Sequence, residues 1–404
     1  MEAKVRFRCR KQELPQRIRI YRIRHHGNQS FRCFFKKELF DSHPLTFSTV
    51  AIVLGLDKKK LHDWYKNHLS DFTSDPVQQS LHENDIPLPE EKVPKEKNCV
   101  EVPILKPEHI GEHMAVDEKY INGEFYTLLT NGQTGKIALM ASTTKTALLT
   151  QAMKKFSDKL FGVRILTRDL ASNYDWFGRE NFMNAAQVAD KFHVLKHAFD
   201  ALQDLRCYYR QKLLTQRREA YEAFKSERKK HPELTFKFPE TKLSNNESHR
   251  QLLARCQYLL YKKREDWSIS QQQRAKLLFK HYPDIETAYD LICQFRAWYS
   301  KDHIIDNTIE KSGKTDAFKA IKNELIHWMN LVELSDITEL VNFKSLVERN
   351  MGPILNYFYT GATNAIAESN NSIIQHFIKT NRGAKNLDFF YFRLSQLLAQ
   401  HINY

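Results

Sequence analysis

No two cysteines in this chain stand as Cys-x-x-Cys; the six, Cys9, Cys33, Cys99, Cys207, Cys256 and Cys293, are scattered. That argues against a zinc ribbon or a disulfide framework and leaves any metal to oxygen ligands. Long apolar runs are also missing: TVAIVLGL (49–56) is among the longest, far short of the roughly 20 residues a membrane-spanning helix needs. The basic amino terminus has no apolar segment of signal-peptide type behind it, so the expected location is cytoplasmic and nucleoid-associated. Acids are scarce relative to bases, 48 Asp+Glu against 62 Lys+Arg, a formal charge of +14. Such a balance favours a polyanionic partner, and nucleic acid over a membrane surface.

What is present suffices for a core. The 404 residues are 42% hydrophobic and 12% aromatic, enough for two or three domains. Residues 1–37 hold twelve Lys/Arg against two acids. Here KVRFRCR and RIRIYRIR alternate apolar and basic residues, which predicts strands with one cationic face; Arg17, Arg19, Arg22 and Arg24 are candidates for phosphate contact. In PLTFSTVAIVLGLDKKKLHDWYKNHLS (44–70), an apolar helix stops at Gly55 and Asp57 can cap a second helix buried through Leu61, Trp64, Tyr65 and Leu69. This is helix-turn-helix spacing, and Lys58, Lys59, Lys60, His62 and Lys66 are expected on the start and outer face of the second helix. Residues 1–70 are thus expected to form a basic arm and helix-turn-helix region. Residues 71–110, with six of the twelve prolines, read as an extended linker.

After the linker the pattern changes. HMAVDEKYI (113–121), EFYTLLTN (124–131) and GKIALMAS (135–142) predict a three-stranded meander with turns at NG and NGQTG. A helix over 144–160, a buried-type strand VRILTRD (163–169), a helical NYDWFGRENFMNA, a short strand AQVADKFH (186–193) and a helix over about 193–216 follow. A crossover helix between strands implies a parallel pair, so the fold class is α/β with a mixed sheet. Residues from about 201 to 355 read as a long helical insertion, broken near 300–317.

The acids give the chemistry. Asp117 lies on the polar side of the first strand, Asp169 ends the strand built on Val163, Ile165 and Leu166, and ligands gather at such strand ends. Glu368 sits among small residues in GATNAIAESNNSIIQHFIKTNRG (361–383). Helical spacing there sets Ile366, Ile373 and Phe377 on an apolar stripe widened by Ile374 and Ile378, and Glu368 at the head of a polar row through Asn371 or Ser372, then Gln375, Lys379 and Arg382. Two carboxylates about 5 Å apart repel by roughly 3 kcal/mol at an effective dielectric near 20. Mg²⁺ or Mn²⁺ would offset that, and two such ions suit in-line displacement at phosphorus. Glu118 is expected to turn away from Asp117 by strand alternation. Asp190 is a rival for the second acid, since it too ends a strand.

VDEKYINGEFYTLLTN, ILTRDLASNY, VADKFHVLKHA and NAIAESNNSIIQ resemble, in that order, the DDE transposases of bacterial insertion sequences, specifically the "L-three" group. The resemblance implies an RNase H-like catalytic domain over 111–404 with a helical insertion before the last acid. It also implies Asp117, Asp169 and Glu368 as catalytic and metal-binding residues with two Mg²⁺ or Mn²⁺ ions. Asp190 becomes a site neighbour, and Asn371, Lys379 and Arg382 fall near DNA. The partners implied are the element's terminal repeats, target DNA and further copies of the chain in a dimer or larger assembly. Two departures stand out: Cys9 and Cys33 do not supply the amino-terminal zinc module common in the group, and Ser369 follows the Glu where Gly is usual. The alternative reading is a transposase-derived regulator that binds DNA without cutting it.

Overall fold

A computed structural model of the chain describes residues 40, 43–88, 99–301, 311–381 and 386–400. They fall into two compact units, one from the residues up to Ile104 together with those from Asn370 on, the other Leu105–Ser369. The arginines at 17, 19, 22 and 24, the basic alternating segments and Arg382 lie outside the described residues.

In the first unit, α1 (Phe47–Leu54) starts at Thr46, whose side chain accepts from the Thr49 amide, and stops at Gly55 with φ +64°. Glycine takes that left-handed conformation without the cost a side chain brings. Asp57 then caps α2 (Lys58–Trp64), accepting from the Lys60 amide at 2.8 Å; the helix widens into a π-type turn over Tyr65–Leu69. Both cap residues are those the spacing predicts. Leu61 and Tyr65 are buried, while Trp64 and Leu69 are half-buried against the same core. The segment 71–110 holds more structure than an extended linker: α3 (Asp75–Ser80) and an antiparallel pair, β1 (Ile86–Pro87) with β2 (Cys99–Val100). Asp85 fastens the pair by accepting from the Val102 amide at 2.8 Å.

The second unit is built on a six-stranded mixed sheet with the order β3-β6-β5-β4-β7-β8. Its strands are β3 (Ile104–Leu105), β4 (His113–Ile121), β5 (Glu124–Asn131), β6 (Ile137–Ala141), β7 (Ile165–Arg168) and β8 (Ala186–Ala189). Asn122 and Gly123, both at positive φ, turn β4 into β5, as an Asn-Gly pair favours. The β4–β5–β6 meander is antiparallel; β7 runs parallel to β4, and β8 parallel to β7. The crossovers are α4 (Thr146–Met153), continued by short turns to Leu160, and α5 (Ser172–Asn181).

Beyond β8 the chain becomes helical: α6 (Lys191–Arg228), α7 (His249–Arg255), α8 (Ile269–His281), α9 (Pro283–Trp298), α10 (Lys311–Ser335), α11 (Thr338–Arg349) and α12 (Met351–Thr360). Instead of ending near 216, α6 runs on to Arg228, and it starts at Lys191, so KFH belongs to the helix and not to a strand. Serines 248 and 268 close reciprocal capping boxes on α7 and α8. Leu202, Leu253, Ile292, Phe295 and Phe358 share one core with Val188 and Ala189 of β8. The buried indoles Trp267, Trp298 and Trp328 each donate to a backbone carbonyl, so none of these three N–H groups is left unmade. This mixed α/β arrangement is compatible with an RNase H-like fold.

Two last helices follow, α13 (Ala365–Thr380) and α14 (Leu387–Gln400). From Asn370 the chain belongs to the first unit, whose core takes Phe389 of α14 beside Phe40, Phe47, Tyr65 and Phe72. Arg393 lies buried over Phe40, Phe47, Tyr65 and Phe377, and donates to Leu45 O and Asn381 Oδ1. Two residues expected on the outer face also meet these rings, His62 with its side chain 41% exposed and Lys66 half-buried. His62 stands edge-on to Phe47 and Phe389, and Lys66 Nζ sits over Phe72 and Phe389 at 5.4 and 5.6 Å. Among the described residues no helix is long and apolar enough to cross a membrane.

Candidate active site at three parallel strand ends

Strand register brings the acids together. Ala115 of β4 and Thr167 of β7 form the last pair of that ladder; Asp117 lies two residues further along β4, and Asp169 is the first residue after β7. Arg168 of β7 pairs with Ala189 of β8, and the Asp190 amide donates to Arg168 O at 2.8 Å, one position beyond. Asp169 and Asp190 thus follow the carboxyl ends of two neighbouring parallel strands, where open α/β sheets collect ligands, and Asp117 lies in the middle of the third, β4.

Each aspartate is held differently. Asp117 Oδ1 accepts from the Glu118 amide at 2.8 Å, its Oδ2 lies 3.9 Å from Lys119 Nζ, and its side chain is 15% exposed. Glu118 points to the other face, where its Oε1 takes the Tyr174 hydroxyl of α5 at 2.7 Å. Asp169 Oδ1 accepts from the Leu170 amide at 2.6 Å. Beneath it Arg168, 0% exposed, donates to Asp169 O, Gln187 Oε1 and Asp175 Oδ1. Asp190 is 3% exposed and caps α6. Its Oδ1 accepts from the Phe192 amide, and its Oδ2 lies 2.9 Å from His193 Nδ1 and 3.4 Å from Asn364 Nδ2.

Glu368 stands in the first turn of α13, exposed, with its amide donating to Asn364 O at 2.8 Å. Partial burial and then the Asp190 and Asp117 charges push its carboxyl pKa up, against the pull of His193 and Lys119. His193 is pushed up as well, chiefly by its bond to Asp190, with the Asp169 and Asp117 charges adding. Asp117, Asp169, Asp190 and Glu368 therefore form one electrostatic neighbourhood. As the side chains stand, no three His, Cys, Asp or Glu among the described residues are gathered closely enough to grip one ion.

The helix around Glu368 follows its expected stripe only in part. Ile374 and Phe377 are buried and Ile373 and Ile378 half-buried as the stripe requires, but Ile366 is exposed, and Ala367, Asn370 and Asn371 are buried beside them. Asn371, at 7% exposure, therefore leaves the outward polar row, whereas Lys379 stays exposed. Lys58, Lys59 and Lys60 are exposed at the start of α2. Arg168, His193 and Asn364 carried no expectation as site residues. An arginine inside the apolar run of ILTRD, and an Asp three residues before a His at a strand-to-helix junction, were the signals for the first two.

No curated protein and no solved structure matched the chain. A family model for the DDE transposases of the ISL3 group, described as Transposase, matches residues 114–394, which takes in all four acids. With a mixed sheet compatible with that family's catalytic fold beneath the match, the chain belongs to the ISL3-group DDE transposases.

Proposed function

We propose that this transposase binds the ends of its own element, cleaves there, and joins the freed 3′-hydroxyl to target DNA, with Asp117, Asp169 and Glu368 as the catalytic acids. The observation that carries the reading is the parallel pairing of β4 with β7, which sets Asp117, two residues past the last pair, beside the chain that leaves β7 at Asp169. The donor chemistry fits Mg²⁺ or Mn²⁺, because these are carboxylate oxygens. Two such ions, held by these three acids, would activate the attacking water or hydroxyl and neutralise charge on the leaving oxygen.

The chain's own groups do the rest. The backbone amides of Glu118 and Leu170 fix one oxygen of Asp117 and of Asp169, so the other edge of each carboxylate is oriented in advance. Lys119, beside Asp117, is placed to meet a phosphate oxygen. Lys58, Lys59, Lys60 and Lys379 supply exposed cations for the DNA backbone. In this reading α1 and α2 act as a helix-turn-helix, the helices after β8 are an insertion in an RNase H-like domain, and the protein works as a dimer or larger assembly in the cytoplasm.

The test is cleavage and joining of DNA carrying the element's ends, with Mg²⁺ or Mn²⁺ and with EDTA. Metal-dependent cleavage that is lost in Asp117→Asn, Asp169→Asn and Glu368→Gln, with end binding retained, supports the assignment. Cleavage that survives these changes overturns the three acids; end binding by the wild type with no cleavage in either metal replaces the reading with a DNA-binding regulator.

A further inference from the structure

We infer that Asp190 and Asn364 form a positioning pair that sets the place of Glu368, and that Asp190 is not itself an ion ligand. The inference rests on the assignment of Glu368 above and adds what holds it. Both oxygens of Asp190 are engaged, one by the Phe192 amide and the other by His193 and Asn364, and the residue is 3% exposed. A ligand needs an oxygen with room around it, and the burial of Asp190 leaves little.

Asn364 occupies the cap position of α13, because its carbonyl accepts from the Glu368 amide at 2.8 Å. A cap asparagine ordinarily folds its side chain back on its own helix. Here Nδ2 goes to Asp190 instead, with the side chain 4% exposed and Oδ1 buried without a hydrogen-bond partner. An amide nitrogen facing a buried carboxylate is a charge-assisted contact; the reversed amide would set oxygen against oxygen. Asn364 therefore touches Asp190 through its side chain and Glu368 through its backbone, a two-bond link between the end of β8 and the candidate acid.

The link is the last of three along one seam. Asn356 Nδ2 donates to Gln187 O at 2.9 Å, joining α12 to β8, and Lys191 Nζ to the Tyr357 hydroxyl at 3.2 Å, joining α12 to the start of α6. Gly361, at φ +61°, ends α12 and turns the chain toward Asn364. The first two contacts fix α12; only the third reaches the helix that carries Glu368.

The experiment compares full-length wild type with Asn364→Ala, Asn364→Asp, Asp190→Asn, and the reciprocal double variant Asp190→Asn with Asn364→Asp. Two readouts are taken: amide hydrogen exchange over residues 365–369, and the Mn²⁺ concentration for half-maximal cleavage of the element's end DNA. Asn364→Ala is expected to speed exchange there by about tenfold, the scale of one charge-assisted hydrogen bond, with β4 and β7 unchanged, and to raise the Mn²⁺ needed. Asn364→Asp, which sets two carboxylates together, should do more, and the reciprocal double variant should recover much of both. Exchange in Asn364→Ala equal to wild type overturns the pair, as does a double variant no better than the worse single. If exchange shifts as expected while the wild type cleaves nothing, the pair stands and the cleavage assignment falls.

Discussion

The two units treat charge in opposite ways. In the first, the guanidinium of Arg393 is buried with its partners built in: four aromatic faces, a backbone carbonyl and an asparagine oxygen. In the second, four carboxylates share a neighbourhood in which Lys119 and His193 lower the Glu368 pKa against acids that raise it. A buried charge held by several built-in partners rigidifies a core; a surplus of one sign is an invitation to an ion from outside. The difference separates a cluster made for folding from one suited to chemistry.

The comparison breaks first at the acids. Asp117→Asn, Asp169→Asn or Glu368→Gln should each lower the cleavage rate by at least about 10²–10³-fold, the scale of losing one preorganised electrostatic group. Binding of end DNA, measured by gel shift, should stay within a factor of about two to three for each, a change of well under 1 kcal/mol. Arg393→Ala should do the reverse. Removing a buried cation with its hydrogen bonds and ring contacts is expected to cost the first unit about 2–4 kcal/mol, read as earlier exchange and urea unfolding there. Arg393→Lys should not rescue it, because an ammonium cannot make the planar fork across rings, carbonyl and amide.

Smaller effects sharpen the contrast. Replacing Lys58, Lys59 and Lys60 together by alanine should flatten the dependence of log K on log salt by about 2–3 units if each meets a phosphate, while the melting curve barely moves, since all three are exposed. The smallest effect belongs to His82, whose pKa is raised above 6.5 chiefly by its hydrogen bond to Asp85. A histidine whose folded pKa is raised adds stability below its unfolded pKa and loses it as pH rises through the folded one. The first unit should therefore weaken slightly above pH 6.5, by roughly a few tenths of a kcal/mol because the ring is largely exposed, and His82→Gln should remove that slope.

How far the sequence carried depends on how local each signal was. The bounds of β4 and β5 follow directly from alternation and an Asn-Gly turn, and Gly55 and Asp57 mark the ends of α1 and α2. The placement of Asp117 beside the chain that leaves β7 at Asp169 follows once the strands are taken as parallel neighbours. Properties set at long range were not legible: Ala367, Asn370 and Asn371 looked like a polar or neutral flank and are buried. The half-burial of Lys66 was not legible because the ring it lies over, Phe389, is more than 300 residues away in sequence. Asp190 read as a rival acid because residue type does not reveal that both its oxygens are taken.

The C-terminal helix α14 has a consequence for synthesis. The ribosome makes Phe40, Phe47, Tyr65 and Phe72 early, but their partners Phe389 and Arg393 emerge some 300 residues later, roughly 15–60 s at about 5–20 residues per second. Until then the first unit is a half-built core. A prematurely terminated product cannot complete it, so the packing that seats α1 and α2 belongs to the finished chain and not to its fragments.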